Sequence, residues 1–263
     1  MSRSYELLEM VRRQAPVVHH ITNWVTISDC AQIVKSVGGS PVMAHAEEEV
    51  VAMTRIASAL VLNIGTLTAD LVSAMKQAAR SANQKRIPVI LDLCGCGATE
   101  FRDRKVFELL EAVQIDIIKG NASEMARVGG ADVQTKGVDA VEVSLDLAAL
   151  AQALAVRHHA TVVITGKVDI VADKRELYRI YNGHDWMTRV VGTGCMATSL
   201  IGTFAAVTAN RSQAAAAALA CYGIAAELAA EQAHGPASFK IALFDCLANL
   251  ERPIIEQRER IEP

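Results

Sequence analysis

The sequence VVGTGC at residues 190–195 runs directly into an apolar segment of small residues that extends from Met196 to Val207. The two glycines allow the backbone to turn tightly and to present its N–H groups to a ligand. A helix that begins immediately afterwards directs its unpaired N–H groups and the positive end of its dipole at the same point. The stretch therefore predicts a strand, an anion-binding turn and a helix with a thiol at its start. Taken alone, such a turn is more often a plain connection with an inert cysteine.

The rest of the chain alternates short apolar runs with helical patterns. The runs at residues 16–21, 59–64, 88–92, 116–119 and 161–166 predict strands, and helical segments follow most of them. Residues 169–172 and 176–181 predict a hairpin, and residues 133–143 a loop. This alternation predicts an α/β protein with a mostly parallel central sheet flanked by helices. No stretch resembles a linker, so residues 1–263 are expected to form a single domain.

The composition excludes several classes of protein. With 51% hydrophobic residues, a net charge of -3 and no basic block, the chain is not expected to bind nucleic acid or an anionic membrane. The apolar segment Ala214–Ala230 contains Glu227 and is interpreted as a packed helix rather than a membrane span. No export signal precedes it, so a cytoplasmic protein with six reduced cysteines is expected.

Polar groups follow several of the predicted strands where each strand ends. Gly65 follows the second run, Asp92 ends the third, Lys119 ends the fourth with Glu124 five residues later, and Thr165 lies near the end of the fifth. Ligands of parallel sheets bind at the carboxyl ends of the strands. With the glycine turn at 192–194, these groups supply carboxylates, a cation and preorganised N–H donors, which phosphoryl transfer requires. The chain contains neither G-x-x-x-x-G-K-[ST] nor G-x-G-x-x-G, so a P-loop and a dinucleotide site are disfavoured.

Taken together, the motifs resemble the hydroxyethylthiazole kinase family of thiamine salvage, within the ribokinase-like superfamily. The motifs span roughly residues 16–240 and occur in the family's order: VHHITN (18–23), GSPVM (39–43), LNIGTL (62–67), DLCGCGAT (92–99), KGNASE (119–124), TGKVD (165–169) and VGTGC (191–195). The resemblance implies a ribokinase-like three-layer fold. It also implies transfer of the ATP γ-phosphate to the hydroxyl of 4-methyl-5-(2-hydroxyethyl)thiazole, with Mg²⁺, and a homotrimer whose substrate pocket lies between subunits.

The resemblance also assigns roles to individual positions. Asp92 and Glu124 correspond to residues that organise the metal, and Lys119 and Thr165 to ATP contacts. Met43 and Gly192 correspond to substrate-pocket positions, with Asn23 and Gly65 expected nearby. The backbone N–H groups of Gly192, Thr193, Gly194 and Cys195 are expected to form the anion hole. Cys195 stands where most ribokinase-like enzymes have an aspartate as the catalytic base.

Four positions depart from the family's pattern. Leu93, Cys94 and Cys96 replace proline, valine and alanine in the loop after Asp92, and Lys119 replaces an arginine. Without the proline, the φ angle of residue 93 is no longer fixed by a ring. Lysine at position 119 keeps the positive charge but cannot form the two parallel hydrogen bonds that an arginine forms with phosphate. The alternatives left open are another ribokinase-like kinase, for example of hydroxymethylpyrimidine, and a non-catalytic ligand-binding relative. A thiol-based metal or redox protein is the most distant alternative.

Overall fold

The computed structural model describes residues 2–130 and 146–263, and within these ranges the strands form one nine-stranded sheet. In chain order the strands are β1 (Val17–Ile21), β2 (Ser40–Met43), β3 (Ala59–Asn63), β4 (Val89–Asp92), β5 (Ile117–Asn121), β6 (Thr161–Thr165), β7 (Asp169–Ala172), β8 (Leu177–Ile180) and β9 (Ile261–Glu262). In space their order is β2-β1-β3-β4-β5-β6-β7-β8-β9. The strands from β2 to β6 pair in parallel, whereas β7, β8 and β9 are added to the sheet in antiparallel pairs.

Helices cover both faces of this sheet. In the described ranges they are α1 (Arg3–Gln14), α2 (Ile27–Ser36), α3 (Val50–Ile56), α4 (Ala69–Lys85), α5 (Glu100–Ala112), α6 (Ala122–Val128), α7 (Leu147–His158), α8 (Thr193–Ala205), α9 (Arg211–Gln232), α10 (Pro236–Ala248) and α11 (Arg252–Arg258). A 3-10 helix at Asp185–Arg189 precedes α8.

Alternation along the strands divides the core into two layers. In β3, Val61 packs with α1, α2 and the helices from α8 to α11, whereas Leu60 and Leu62 pack with the helices from α3 to α7. Successive side chains of a strand point to opposite faces, so a strand buried on both faces is apolar at nearly every position. The result is the three-layer α/β arrangement expected from the sequence.

The order of the strands places a cleft at one edge of the sheet. From β1 the chain crosses to β2 on one side and then returns to β3 on the other side of β1. Where the strand order reverses, the connections that leave the carboxyl ends of neighbouring strands run in opposite directions and leave a crevice between them. Ligands of open α/β sheets usually bind in this crevice. The segment after β1 and the end of β3 therefore flank the expected binding cleft.

Several local predictions are confirmed. The hairpin of β7 and β8 forms between the two segments predicted for it. Helix α9 is long and apolar enough to cross a membrane, but 78% of its most apolar window is buried within the fold, as in a core helix. The predicted loop at 133–143 lies outside the described residues.

The interpretation of residues 59–64 as a continuous apolar run is wrong at one position. Strand β3 ends at Asn63, whose polar side chain is buried. The strand predicted directly before the glycine turn is also wrong: the 3-10 helix at Asp185–Arg189 precedes the turn, and residues 190 and 191 lie in no strand. The sequence analysis also missed α11, β9 and this 3-10 helix. These are short elements with weak periodicity, and the two-residue β9 exists because it pairs with β8.

Candidate active site

The sequence-predicted site residues lie along the carboxyl edge of the parallel strands. Asn23 follows β1, Met43 ends β2, Gly65 follows β3, and Asp92 ends β4. Lys119 lies in β5 opposite Asp92, and Thr165 ends β6 opposite Asn121. Neighbouring strands lie about 4.8 Å apart, so the β2 and β6 ends of this row are separated by roughly 24 Å. The row is long enough to hold two substrates end to end.

The first turn of α8 faces the middle of this row. Gly192 is its N-cap residue at φ +90, and no side chain of the described structure caps the helix. A Cβ atom at this position would lie 2.4 Å from Cγ2 of Thr26, so only glycine fits the turn. The Thr193 hydroxyl donates to the carbonyl oxygen of Met187 at 3.0 Å, which ties the turn to the 3-10 helix. The backbone N–H groups of this first turn are thus directed towards the cleft, as an anion hole requires.

Cys195 is buried in this turn with its sulfur facing two amides. Asn23 and Asn63 each donate a hydrogen bond from Nδ2 to the Cys195 Sγ at 3.3 Å. Asn63 also donates to Oδ2 of Asp92 at 2.9 Å, so one side chain joins the thiol to the carboxylate. Because the amides are the donors, the sulfur accepts, and this arrangement favours its thiolate form.

Asp92 is almost completely buried at the end of β4. Its Oδ2 accepts hydrogen bonds from Asn63 and from the Thr198 hydroxyl, the latter at 2.6 Å. Its Oδ1 faces the Lys119 Nζ at 3.5 Å. The Oδ2 atom is therefore held by neutral donors, while Oδ1 keeps capacity for a cation.

Lys119 carries the positive charge of the site. Burial opposes this charge, but the carboxylates of Asp92 and Glu124 outweigh burial and raise the pKa of Lys119. A Cβ on Gly194 would lie 3.1 Å from the Lys119 Nζ, which shows that the ammonium group lies against the first turn of α8. The cation and the N–H groups of the turn can therefore contact the same anion.

Glu124 is held by backbone donors. Its Oε1 accepts from the Gly95 N–H and its Oε2 from the Asn121 N–H, both at 2.7 Å, and the second bond completes a capping box on α6. Burial raises the pKa of Glu124, and Lys119 opposes this shift. The residue links the loop after β4 with the junction of β5 and α6.

The two ends of the row are more open. Met43 is half-buried at the end of β2, on the substrate side assigned by the resemblance. The Gly65 N–H donates to Oδ1 of Asn63 at 2.8 Å, and a Cβ at Gly65 would lie 3.0 Å from the Asn23 side chain. At the other end, the Thr165 hydroxyl donates to the carbonyl oxygen of Gly120 at 3.4 Å. The predicted set is thus brought to one edge, with Met43 and Thr165 at opposite ends.

The two cysteines of the loop after β4 face different groups. The neighbouring Cys94 thiol lowers the pKa of Cys195, and Lys119 lowers it further, although burial and Asp92 oppose the shift. Cys195 and burial raise the pKa of Cys94. The Cys96 Sγ lies 3.5 Å from Oδ1 of Asp103. Within the described ranges, no group of three or more His, Cys, Asp or Glu side chains is arranged to hold a metal ion unaided.

Sequence reasoning missed three residues of the site. Asn63 and Thr198 contact Asp92, and Arg102 donates to the carbonyl oxygens of Ile64, Gly65 and Cys94. Arg102 thereby clamps the loops after β3 and β4. A polar residue at the end of an apolar strand was the available signal for Asn63. Thr198 and Arg102 lie within helices and carry no comparable signal.

Comparison with known proteins agrees with this geometry. The model of the hydroxyethylthiazole kinase family matches residues 8–253. A hydroxyethylthiazole kinase of Methanosarcina mazei is 48% identical over 255 residues, which cover 97% of this chain and 98% of that protein.

Solved structures extend the comparison to the fold. A hydroxyethylthiazole kinase structure from Pyrococcus horikoshii OT3 aligns with a TM-score of 0.91 at 38% identity and covers 100% of this chain and 99% of that one. A ribokinase-like superfamily protein of Enterococcus faecalis, 15% identical, aligns with a TM-score of 0.67 over 94% of each chain and shows the fold alone. The site lies within the matched region, and the chain is a kinase that belongs to the hydroxyethylthiazole kinase family.

Proposed function

We propose that the protein transfers the γ-phosphate of ATP to the hydroxyl of 4-methyl-5-(2-hydroxyethyl)thiazole and forms its monophosphate for thiamine synthesis. The observation that carries the proposal is the order of groups along the sheet edge. Met43, Asn23 and Gly65 lie around β2, β1 and β3, whereas Lys119 and Thr165 lie on β5 and β6. Asp92 and Cys195 lie between them. The alcohol would bind at one end, the nucleotide at the other, and transfer would occur at the α8 turn.

The donor set of this site fits Mg²⁺. Magnesium prefers oxygen ligands, keeps several waters and is commonly held by one or two carboxylates together with substrate phosphates. Asp92 Oδ1 is the carboxylate oxygen with free capacity, and Glu124, whose two oxygens hold backbone N–H groups, would act through waters. When bound, the ion would neutralise phosphate charge and help to orient the terminal phosphoryl group.

Lys119 and the backbone N–H groups at the start of α8 would neutralise the remaining negative charge of the phosphates. Lys119 lies against Gly194, so its ammonium group and the first-turn N–H groups of α8 can bind the same phosphoryl oxygens. Groups fixed before the reaction stabilise developing charge without reorganisation. Gly192 contributes the turn that sets their direction.

Cys195 is the proposed proton acceptor for the alcohol. Its sulfur is held by Asn23 and Asn63, and its pKa is lowered by the neighbouring Cys94 thiol and by Lys119. A loose phosphoryl-transfer transition state leaves the hydroxyl proton in place until late, so a weak, well-positioned base suffices. The thiol would orient the hydroxyl and accept its proton as the new O–P bond forms.

We also propose a cytoplasmic homotrimer in which residues 1–263 form one kinase unit. Trp24, Val25 and Val191 are exposed apolar side chains beside Asn23 and Gly192, at the substrate end of the site. Apolar surface next to a pocket is typical of a subunit interface. Light scattering on the purified protein measures the mass directly, and a trimer mass that Val191→Glu reduces to that of a monomer would support this arrangement.

The kinase proposal is tested by ADP release from Mg·ATP with the thiazole alcohol as the variable substrate. The expected result is release that depends on the alcohol and on Mg²⁺, with the phosphorylated thiazole identified by mass spectrometry. Hydroxymethylpyrimidine in place of the thiazole is the matched control. A preference for the pyrimidine would overturn the proposed substrate. Binding of the thiazole without turnover would overturn the proposed catalysis.

A further inference from the structure

The guanidinium group of Arg102 lies among three backbone carbonyl oxygens from two loops. Its Nη1 donates to the carbonyl oxygens of Ile64 at 2.9 Å and Cys94 at 3.0 Å, and its Nη2 donates to that of Gly65 at 2.7 Å. Two of these oxygens belong to the loop after β3 and one belongs to the loop after β4. Arginine carries five N–H donors in a fixed plane, so one side chain can hold acceptors on both loops.

These hydrogen bonds lie just beyond the end of the ladder between β3 and β4. Asn63 and Asp92 are the last paired residues of the two strands. Gly65 and Cys94 each lie two positions further along the chain, past the end of this ladder. Arg102 therefore continues, through a side chain, the connection that the ladder makes through the backbone.

The first turn of α5 holds the loop after β4 from two sides. The Thr99 hydroxyl accepts from the Arg102 N–H at 3.3 Å and caps the helix, which fixes Arg102 in this turn. A Cβ at Gly95 would lie 2.9 Å from the Arg102 Nη1, so the guanidinium group packs directly over this glycine. The next residue, Asp103, accepts a hydrogen bond from the Gly97 N–H at 2.7 Å. A cation thus binds a carbonyl oxygen of the loop, and an anion binds one of its N–H groups.

The peptide group that follows Ile64 connects Arg102 to the reacting groups. Arg102 binds the oxygen of this peptide group, and its N–H donates to Oδ1 of Asn63 at 2.8 Å. Nδ2 of Asn63 in turn donates to the Asp92 carboxylate and to the Cys195 sulfur. A shift of this one peptide group would therefore turn the amide that holds both of them.

We propose that Arg102 is a positioning residue for phosphoryl transfer, which sets the separation of the loops after β3 and β4 by holding their three carbonyl oxygens. The inference rests on the proposed function, in which the alcohol binds beside the loop after β3 and Asp92, at the end of β4, faces the metal. The proposed nucleotide contacts, Lys119 and Thr165, lie on β5 and β6. Loss of Arg102 should therefore disturb alcohol binding and transfer more than nucleotide binding.

Steady-state kinetics of Arg102→Met test this role. The KM for the alcohol should rise and kcat should fall about a hundredfold, which is the cost of a displacement of about 1 Å at a reacting centre. The KM for Mg·ATP should change least. Arg102→Lys keeps the charge but not the planar fork, so it should recover part of the loss.

A matched control separates positioning from a loss of folded protein. Arg104→Met lies two positions later at an exposed site of α5 and should leave kcat and both KM values unchanged. Partial unfolding of a variant would lower kcat through the fraction of active enzyme and would leave both KM values unchanged. Thermal melting confirms that each variant is folded under the assay conditions.

Guanidinium ion provides a second readout. In Arg102→Ala, guanidinium chloride well below denaturing concentrations should bind among the three carbonyl oxygens and restore part of kcat in a saturable manner. Urea has nearly the same planar shape without the charge, so it is the control and should restore no activity. Arg104→Met should respond to neither compound.

The outcomes separate this inference from the proposed function. An unchanged KM for the alcohol in Arg102→Met, or equal effects of guanidinium and urea on Arg102→Ala, would overturn the role of Arg102. Should the unmodified protein release no ADP with the thiazole alcohol, the proposed function fails instead. Amide hydrogen exchange then decides whether Arg102 holds the two loops, since residues 64–68 and 93–99 should exchange faster in Arg102→Met than in Arg104→Met. Equal exchange in both variants would contradict the clamp itself.

Discussion

The side chain of Asn63 joins the Asp92 carboxylate to the Cys195 sulfur. Its Nδ2 lies 2.9 Å from Oδ2 of Asp92 and 3.3 Å from the Cys195 Sγ. Its Oδ1 accepts from the Gly65 N–H and from Nδ2 of Asn23, and these donors fix the orientation of the amide. All four hydrogen-bonding positions of this buried side chain are occupied. The carboxylate proposed to hold the metal and the proposed base are therefore held as one unit.

Replacement of Asn63 should reduce turnover more than substrate binding. Asn63→Leu has nearly the same volume and removes two hydrogen bonds to charged or polarisable groups, each of which contributes about 1.5–3 kcal/mol. Loss of about 2 kcal/mol from the transition state corresponds to roughly a thirtyfold lower kcat. Steady-state kinetics should show this fall with a smaller change in both KM values. Asn249→Leu, at the exposed end of α10, is the control, and an unchanged kcat in Asn63→Leu would contradict the coupling.

Substitution of Cys195 measures how much chemistry the thiol performs. Cys195→Ala should lower kcat by about a hundredfold, the lower end of the range for general bases, because the transition state is loose. Cys195→Asp restores a proton acceptor and should recover part of this loss. Since the Cys94 thiol and Lys119 lower the pKa of Cys195, the acidic limb of the kcat/KM profile should lie below the pKa of an ordinary thiol. Full activity in Cys195→Ala would remove the thiol from the reaction.

Carboxylate substitutions should act through the magnesium requirement. Asp92→Asn keeps the size and shape of the side chain that contacts Asn63 and Thr198 but removes its charge. The half-saturating Mg²⁺ concentration should therefore rise about tenfold, which corresponds to a loss of about 1.4 kcal/mol of binding free energy. Glu124→Gln should raise it less, because Glu124 would act through waters. Glu100→Gln, on the exposed start of α5, provides the control. Identical magnesium titrations in all three variants would contradict the metal assignment.

The sequence was sufficient for the architecture because parallel strands are buried on both faces. Runs such as residues 88–92 are therefore apolar throughout, and their polar ends mark the ligand edge. Their position at the ends of predicted strands was enough to identify Asp92, Lys119 and Thr165 as candidate site residues. The family resemblance supplied their proposed roles.

The contacts within the site were less accessible, for physical reasons. Asn63 lies inside an apolar pattern, and its importance depends on the register that sets it opposite Asp92. Thr198 reaches Asp92 because α8 crosses the ends of the strands, which helical periodicity does not specify. The hydrogen bonds from Asn23 and Asn63 to Cys195 join segments that lie far apart in the sequence, so they depend on the tertiary fold. Sequence patterns predict elements and edges, whereas side-chain networks follow from packing.

Gly192 and Gly130 form a matched pair that separates backbone strain from steric fit. Both have φ near +90, but a Cβ at Gly192 would meet Thr26, whereas one at Gly130 would meet no atom of the described residues within 4 Å. Gly130→Ala should cost about 1–2 kcal/mol of stability from backbone strain and leave activity unchanged. Gly192→Ala should in addition displace the α8 turn and abolish most of the activity. Thr26→Ser removes the clashing Cγ2 atom, so the double variant should recover activity, and failure to do so would contradict the steric argument.

His20 makes the stability of the fold dependent on pH. Burial lowers the pKa of His20 to about 4, and its Nε2 has no hydrogen-bond partner in the described structure. The Val18 carbonyl can only accept, so Nδ1 carries the proton and Nε2 would have to be protonated in a dry site. Below the ordinary histidine pKa of 6.5 the unfolded chain binds more protons than the folded one, so stability falls as the pH falls towards 4.

Denaturant unfolding at several pH values measures this dependence. Between pH 6.5 and pH 5, His20 should account for about 2 kcal/mol of lost stability, at about 1.4 kcal/mol per pH unit. Burial also lowers the pKa of the neighbouring His19. Because His19 and all carboxylates are still present in His20→Leu, the difference between the pH curves of the unmodified protein and this variant isolates the contribution of His20. His234→Leu, at an exposed position, should leave the slope unchanged. Parallel curves for the unmodified protein and His20→Leu would show that the imidazole accepts a proton within the fold without this cost.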